Sequence, residues 1–388
     1  MHVTLIGAGG MGEAAMKAAS QIGGIKGIEI CDRDHARAAA VAASLQSLYP
    51  CKVSATELDV TDSAALAEIL SRTDVVMNAA GPFFRFGTIV LRQAIDAGVD
   101  YIDICDDWEP TLEMLDLDSA AKEAGVTALI GMGASPGASN LLAMMAIREL
   151  DTVKDLYTCW GVDSDSEHAD KIVTAALVHW VHQLTGEIKI AQNGKLVSAK
   201  PLEEIEIDIP GLGAGSVYSV GHPEPVTQAR HSMAIGSCIN AMVMPRQMIA
   251  LLKTVREDVE AGLISVEEGA AVLISPDDKR ELRATEIAQH LREPGSLPHF
   301  FAFATGERAG RQVKVAALVN AFPKGMAKAT GVPMSIGLQA LVEQKLLPGV
   351  HAPEAAIDPV WFFDRLAPFC SPPLKGSADL VTVITAPK

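Results

Sequence analysis

Four carboxylates fall within seven residues at Asp103-Ile104-Cys105-Asp106-Asp107-Trp108-Glu109, directly after a short apolar run. Neighbouring carboxylates raise one another's proton affinity, which can leave one as a proton acceptor near neutrality, and together they attract a protonated amine. Asp106 and Asp107 are the candidates for that role. Capping of a helix that starts near Pro110-Thr111 would also account for acids at this place. A second cluster, Gly131-Met132-Gly133-Ala134-Ser135-Pro136-Gly137-Ala138-Ser139-Asn140, leads into an apolar helix. Ser135 and the amides after it can face a carboxylate or a carboxamide. A third, Gly221-His222-Pro223-Glu224-Pro225, holds an imidazole, the usual proton acceptor near pH 7. His222 is therefore the candidate base, against the plainer alternative of a packed histidine. His179 and His182 lie three apart beside Trp180, but no third ligand stands at a convincing spacing, so no metal is expected.

Such groups need a partner for the chemistry, and the first twelve residues propose one. The apolar run Val3 to Ile6 enters Gly7-Ala8-Gly9-Gly10-Met11-Gly12, and an alanine-rich, helix-compatible stretch follows. In a strand-glycines-helix unit of this kind the first glycine permits the tight turn and the second lets backbone approach a pyrophosphate. The third lets the helix pack against the strand. Gly7, Gly9, Gly10, Met11 and Gly12 are read as the cofactor turn. The next strand candidate, Ile28 to Cys31, ends in Asp32, twenty residues after Gly12. A carboxylate there accepts ribose hydroxyls and repels a 2′-phosphate, which points to NAD; Arg33 beside it leaves NADP open. Asp59 and Val60 follow the third strand, where they could meet adenine. Asn78, Ala79, Ala80, Gly81 and Phe83 follow the fourth, where small residues admit a nicotinamide ribose.

Six short apolar strands, Val3 to Ile6, Ile28 to Cys31, Lys52 to Leu58, Val75 to Asn78, Tyr101 to Ile104 and Thr127 to Ile130, position these loops. Helix patterns lie between them at Asp34 to Leu48, Ser63 to Ser71, Thr88 to Ala97 and Thr111 to Ala124. That alternation predicts a doubly wound parallel sheet, an α/β Rossmann domain, with ligands beyond the carboxyl ends of the strands. From about residue 150 the texture becomes α+β. A strand is expected over Val153 to Val162 and a helix over Lys171 to Leu184. A hairpin turns at Asn193-Gly194 within Glu187 to Asp208, and helices fill Met248 to Leu291. His299 to Thr305 pairs with Gln312 to Asn320, and Val332 to Gln344 reads as a helix. The expected domains are 1–130 with 331–388 for the dinucleotide, and 131–330 for substrate and oligomerisation.

A chain of 388 residues that is 49% hydrophobic can fill two cores. Its net charge of −16 argues against nucleic acid and anionic membrane as partners. The first residues form a strand and loop instead of a leader, and the apolar window Ala128 to Ile147 is broken by glycines and a proline, so a cytoplasmic protein is expected. Six scattered cysteines without C-x-x-C spacing suggest reduced thiols.

Five segments together, GAGGMG, VVMNAAGPF followed by Gly87, YIDICDD, GMGASPGASNLLA and GVHAPEAAI, resemble the saccharopine dehydrogenase-like family over nearly the whole chain. The resemblance implies a Rossmann domain with an α+β second domain and a C-terminal helix returning to the first. It also implies a homodimer and hydride transfer at a carbon–nitrogen bond of an amine or amino acid. Ser135 stands where saccharopine reductases carry an aspartate before Pro-Gly, and Arg92 where they carry a lysine; the layout is closer to the lysine 6-dehydrogenase-like branch. An NAD-dependent amine or amino-acid dehydrogenase is the expected activity. An NADPH-dependent saccharopine or opine-type reductase, a carbonyl or enoyl reductase, and a nucleotide-binding regulatory protein without turnover are the alternatives.

Overall fold

The computed structural model describes residues 1–161, 173, 175–231 and 235–388. The chain runs β1 (His2–Ile6), α1 (Gly10–Ala19), β2 (Gly27–Asp32), α2 (His35–Gln46), β3 (Lys52–Glu57), α3 (Ser63–Leu70), β4 (Val75–Asn78), α4 (Phe83–Ala97) and β5 (Asp100–Asp103). It continues through α5 (Trp108–Leu115), α6 (Asp118–Ala124), β6 (Thr127–Leu129) and α7 (Ala138–Ile147). The middle of the chain forms β7 (Thr152–Trp160), α8 (Ala175–Gln183), β8 (Ile188–Gln192), β9 (Lys195–Ala199), β10 (Glu204–Ile209), β11 (Gly213–Ser219), α9 (Glu224–His231) and β12 (Ile235–Met242). Then come α10 (Arg246–Glu260), α11 (Val266–Ile274), α12 (Asp278–Ala288), β13 (Phe300–Arg308) and β14 (Arg311–Val319). The last stretch holds α13 (Met326–Glu343), β15 (Gly349–His351), α14 (Pro353–Ala356), α15 (Pro359–Leu366), α16 (Ser377–Leu380) and β16 (Val381–Pro387).

Two compact units result, Met1–Leu141 with Asn320–Leu380, and Leu142–Val319 with Val381–Lys388. In the first, strands pair in the order β15-β6-β5-β4-β1-β2-β3, every pair parallel. The central strands β1, β4 and β5 are buried almost throughout, which is why they read as continuous apolar runs instead of alternating ones. Local chemistry sets where helices begin and stop. Asp34 caps α2 through the Arg37 amide, Asp62 caps α3 through Ala64 and Ala65, and Gly98 and Gly125 end α4 and α6 with φ of +69° and +72°.

Three expectations for this unit need correction. The helix read as Thr111 to Ala124 is two helices, α5 and α6, separated at Asp116-Leu117. Helix α4 starts at Phe83, five residues before the expected Thr88, with Pro82 as its extended N-cap and the Phe84 amide donating to Asp107. Helix α13 starts at Met326, with Pro333 inside it, whereas the expected helix ran from Val332 to Gln344. This is the late helix that returns to the first unit. It packs on α1 so closely that a Cβ on Gly331 would lie 2.5 Å from the Met11 carbonyl oxygen and 2.7 Å from the Ala15 nitrogen.

The second unit is built on a mixed sheet of nine strands among the described residues, in the order β10-β11-β12-β7-β13-β14-β16, with the β8–β9 hairpin attached to β12. Only β12 and β7 run parallel among these pairs. The hairpin turns at Asn193-Gly194, both at positive φ. The first unit was expected to extend to residue 388, but β16 pairs with β14 from Val381 to Pro387, so the chain's last strand belongs to the second sheet. Val162, Lys171, Ile172 and Thr174, parts of an expected strand and helix, lie outside the described residues. None of the six cysteines forms a disulfide, and all but Cys51 are buried. Among the described residues no helix is long and apolar enough to cross a membrane.

The α1–α13 contact sets a stability expectation. Gly331→Ala should be destabilising by about 1–3 kcal/mol, because the added methyl meets backbone on both sides and overpacking of that kind outweighs the helix-propensity gain. Gly23→Ala, where a Cβ would meet nothing within 4 Å, should leave the denaturation midpoint unchanged. Chemical denaturation of the two variants checks the difference.

Candidate functional site

The strand order reverses between β1 and β4, and a crevice opens there beyond the carboxyl ends of a doubly wound sheet. Gly7, at φ +98°, closes its floor. A Cβ on it would lie 2.6 Å from the Ala79 carbonyl carbon and 2.7 Å from the Ala80 nitrogen, so the turns after β1 and β4 touch backbone to backbone. A Cβ on Gly12 would lie 2.3 Å from the Gly7 carbonyl oxygen. Gly9 differs: a Cβ there meets nothing within 4 Å. It is also the N-cap of α1 and offers no side-chain cap, so the first-turn amides of exposed Gly10, half-buried Met11 and Gly12 have no intrahelical acceptor. An open, uncapped helix start of this kind is a cradle for a diphosphate, and the residues present fit one.

Asp32, at the end of β2, accepts from the Ala8 amide at 2.8 Å and from the Asp34 amide at 2.9 Å. Those bonds fix it beside the glycine turn, and a carboxylate with about four acceptor positions keeps capacity for a diol. Arg33 next to it is exposed. Asp59 is exposed after β3 and accepts from both the amide and the hydroxyl of Thr61, at 2.9 and 2.7 Å. These bonds, helped by the charge of Arg33, hold its carboxyl below the usual range. Val60 is buried.

Beyond β4, β5 and β6 the loops are tied by side chains. Asn78 pairs in register with Asp103 on the neighbouring strand, and its Oδ1 accepts from the Ala80 amide at 3.1 Å. Asn78 Nδ2 donates to the Tyr101 hydroxyl at 3.0 Å, which donates to Asp103 Oδ2 at 2.8 Å. Asp103 Oδ1 accepts from the Gly131 amide at 2.7 Å and the Cys105 amide at 3.0 Å. Asp103 is fully buried, and that burial, only partly offset by its donors and reinforced by the charge of Asp106, pushes its pKa up to about 6.

The two carboxylates read as substrate anchors stay together in the structure, with an oxygen of one within 4.8 Å of an oxygen of the other. Asp107 is buried and its Oδ2 accepts from the Phe84 amide at 3.0 Å, so it caps α4, not the helix α5 that begins after it. Asp106 is half-buried. Gly81 is exposed and Phe83 buried at the start of α4, with Ala79 and Ala80 half-buried. Ser135 is half-buried, and the turn after it is held by Asn140, whose Oδ1 accepts from the Gly137 amide and whose Nδ2 donates to Glu354 Oε2, both at 2.9 Å.

His222 belongs to the second unit, where it is buried directly before α9. Its ring stacks on Trp160 with centroids 5.1 Å apart, and Nδ1 lies 3.8 Å from Oε2 of the buried Glu224. Trp160 Nε1 donates to Asn240 Oδ1, and Asn240 Nδ2 donates to the Thr158 hydroxyl, both at 2.9 Å. His179 and His182 share α8, and burial lowers the pKa of His182.

Tyr101, Asn140 and Glu354 were not singled out in the sequence, and Asp103 was passed over for its neighbours. The available signal was polarity inside buried strands: Asn78, Tyr101 and Asp103 sit in runs otherwise apolar on both faces, and 101 and 103 share one face of β5.

The first unit thus has the construction of a nicotinamide-dinucleotide-binding domain of the oxidoreductase class, and known proteins agree. Residues 3–129 match the family described as saccharopine dehydrogenase NADP binding domain. Across 99% of both chains the fold is that of apo saccharopine dehydrogenase (L-Glu forming) from Saccharomyces cerevisiae, with a TM-score of 0.67 at 17% identity. The carboxynorspermidine synthase of Vibrio alginolyticus is 24% identical over 58% of this chain, and that of Vibrio cholerae 25% identical over 58%. Those matches span 58% of the relatives' own lengths.

Asp103 generates a pH dependence of stability. Its folded-state pKa lies above the unfolded value, so the folded protein binds the proton more tightly. The resulting contribution is present below the ordinary carboxylate range and is lost as pH rises through about 6. Stability of the natural protein minus that of Asp103→Asn should fall by about 2–3 kcal/mol between pH 3.5 and 7. Denaturant titrations across that interval check it, and a flat difference would remove the assignment.

Proposed function

We propose that the protein is an NAD-dependent dehydrogenase acting on the CH–NH group of an amino acid or related amine, in the manner of the lysine 6-dehydrogenase-like branch. The observation that carries the reading is the open turn at Gly9, with Asp32 held beside it by the Ala8 amide, in a domain matched to the saccharopine dehydrogenase family. Asp32 favours NAD, because a fixed carboxylate at the ribose repels a 2′-phosphate. Arg33 and the NADP description of the matched domain support the second reading, a reductase using NADPH in the opposite direction, as do relatives named as synthases.

In the oxidative direction the amine lies over the loops that follow β4, β5 and β6. When bound, a nicotinamide dinucleotide supplies the hydride acceptor. The hydrogen on carbon leaves with its electron pair, the nitrogen proton goes to a base, and a C=N bond forms that water or cyclisation consumes. Asp106 and Asp107 are the anchors for the cationic amine, one oxygen of Asp107 also accepting from the Phe84 amide at the start of α4. Ser135 and the amides after it face the substrate carboxylate or the carboxamide. His222 is the proton acceptor. Holding reacting atoms at near-attack distance is worth several kcal/mol in such a site. A homodimer in the cytoplasm remains part of the proposal.

Fluorescence titration with NADH and NADPH, followed by a turnover assay on panels of amino acids, diamines and alcohols, tests the reading. Turnover of amines is expected; turnover of alcohols alone selects a carbonyl reductase, and tight binding with no turnover selects a regulatory protein. Asp32→Ala should weaken NADH by about tenfold or more while changing NADPH less. His222→Ala should lower kcat on the active amine about 10²- to 10⁴-fold. Unchanged turnover in that variant ends the histidine's role as base.

A further inference from the structure

One continuous path of side-chain hydrogen bonds crosses the carboxyl ends of three adjacent strands. It begins at the Ala80 amide on Asn78 Oδ1, passes from Asn78 Nδ2 to the Tyr101 hydroxyl and on to Asp103 Oδ2, and ends at the Cys105 and Gly131 amides on Asp103 Oδ1. Those three amides stand at the start of the loops after β4, β5 and β6. No residue in the path is dispensable to it: Asn78 links one loop to Tyr101, and Asp103 serves two loops with one oxygen. All three side chains are buried, at 0% exposure. Folding gains little from burying an amide, a phenol and a carboxylate where apolar residues of similar size would pack, so their presence calls for a reason beyond stability.

The sheet's order supplies the reason. A dinucleotide bound across the β1/β4 switch point has its adenine half over β2 and β3 and its other half over β4, β5 and β6. The path touches none of the first set and all of the second. We propose that Asn78, Tyr101 and Asp103 are positioning residues that hold the three loops beneath the nicotinamide half of the cofactor in one mutual register. The inference rests on the dinucleotide reading above, but not on which substrate is turned over. At the far end of the same loop Asn140, itself bonded to Glu354, holds the Gly137 amide: the loop after β6 is fixed at its second residue by Asp103 and at its last by Asn140.

Tyr101→Phe removes one buried hydroxyl and no carbon, and it cuts the path in the middle. Asp103→Asn keeps an oxygen for the two amides and serves as the conservative comparison. Two measurements on the full-length protein read the outcome. In hydrogen–deuterium exchange of the protein without ligand, peptides covering Ala80, Cys105 and Gly131 should lose protection together in Tyr101→Phe. Peptides covering Gly7 to Gly12 should not. In binding, NADH and NADPH are each paired with a probe lacking nicotinamide, ADP-ribose and 2′-phospho-ADP-ribose. The Tyr101→Phe affinity for the dinucleotide that the natural protein prefers should fall about tenfold, with its nicotinamide-free partner within about twofold. Asp103→Asn should fall between the two.

Equal weakening of both members of the pair, or deprotection confined to β5, would overturn the inference and leave a structural role for the three residues. If Tyr101→Phe does not fold, Asp103→Asn carries the same pair of measurements. Natural protein that binds neither dinucleotide nor ADP-ribose defeats the dinucleotide reading itself, an outcome separate from loss of selectivity in the variants.

Discussion

The peptide between Ala79 and Ala80 approaches Gly7 so closely that no side chain fits between them. That contact joins the turns after β1 and β4, the two strands that flank the reversal in strand order, and the rest of the first unit is arranged around it. With a Cβ at residue 7 the turns would separate, and α1 would no longer begin where its amides meet the crevice. Gly12 repeats the constraint one helical turn later, against the Gly7 carbonyl, and Gly331 of α13 presses on the far side of α1 at Met11 and Ala15. Helix α1 is therefore fixed by backbone contact on two sides. Its open end at Gly9 is a position the fold has left without a side chain, flanked by positions where it could not have tolerated one. A preformed anion cradle of this kind loses little entropy on binding, since the helix start is already ordered.

Much of this was legible in the sequence because the signals were local. Parallel strands buried on both faces read as short apolar runs, and β4 is bounded as the run Val75 to Asn78 suggested. The Asn193-Gly194 turn declared its hairpin, and GAGGMG declared that a helix follows, although α1 begins inside it at Gly10 and not at Glu13. What was not legible depended on partners distant in sequence. Helix α4 begins early because Asp107, more than twenty residues on, receives the Phe84 amide. Pro333 sits inside α13 although proline ordinarily ends a helix, and nothing in its neighbourhood signals that. The strands β11, β12 and β16 complete a mixed sheet whose pairings join residues far apart, so periodicity could not assign the last strand to the second unit.

The run from Asp103 to Glu109 shows the same limit at the level of chemistry. Composition makes Asp103, Asp106 and Asp107 equivalent, and strand-end position favours the latter two as ligand contacts. Structure divides their work: Asp103 lies beneath the loops, bonded to two amides and a phenol, Asp107 gives one oxygen to a helix start, and Asp106 is left half-buried. A sequence can report that acids cluster where a cation would bind, but the number of them that face the ligand is set by which backbone amides need an acceptor. Here both oxygens of Asp103 and one of Asp107 accept from the scaffold.

That division bears on substrate choice. The buried carboxylates Asp103, Asp107 and Glu354 of this unit each accept at least one hydrogen bond from the scaffold. Asp106 also adds its charge to the field that raises Asp103, which means a cation arriving near Asp106 would lower the proton affinity of Asp103 as well. A protonated amine would thus favour the ionised form of the residue that registers the loops, strengthening its bonds to the Cys105 and Gly131 amides, since charge-assisted hydrogen bonds are the stronger kind. Charge near Asp106 and the bonds that tie the loops after β5 and β6 meet at one carboxylate.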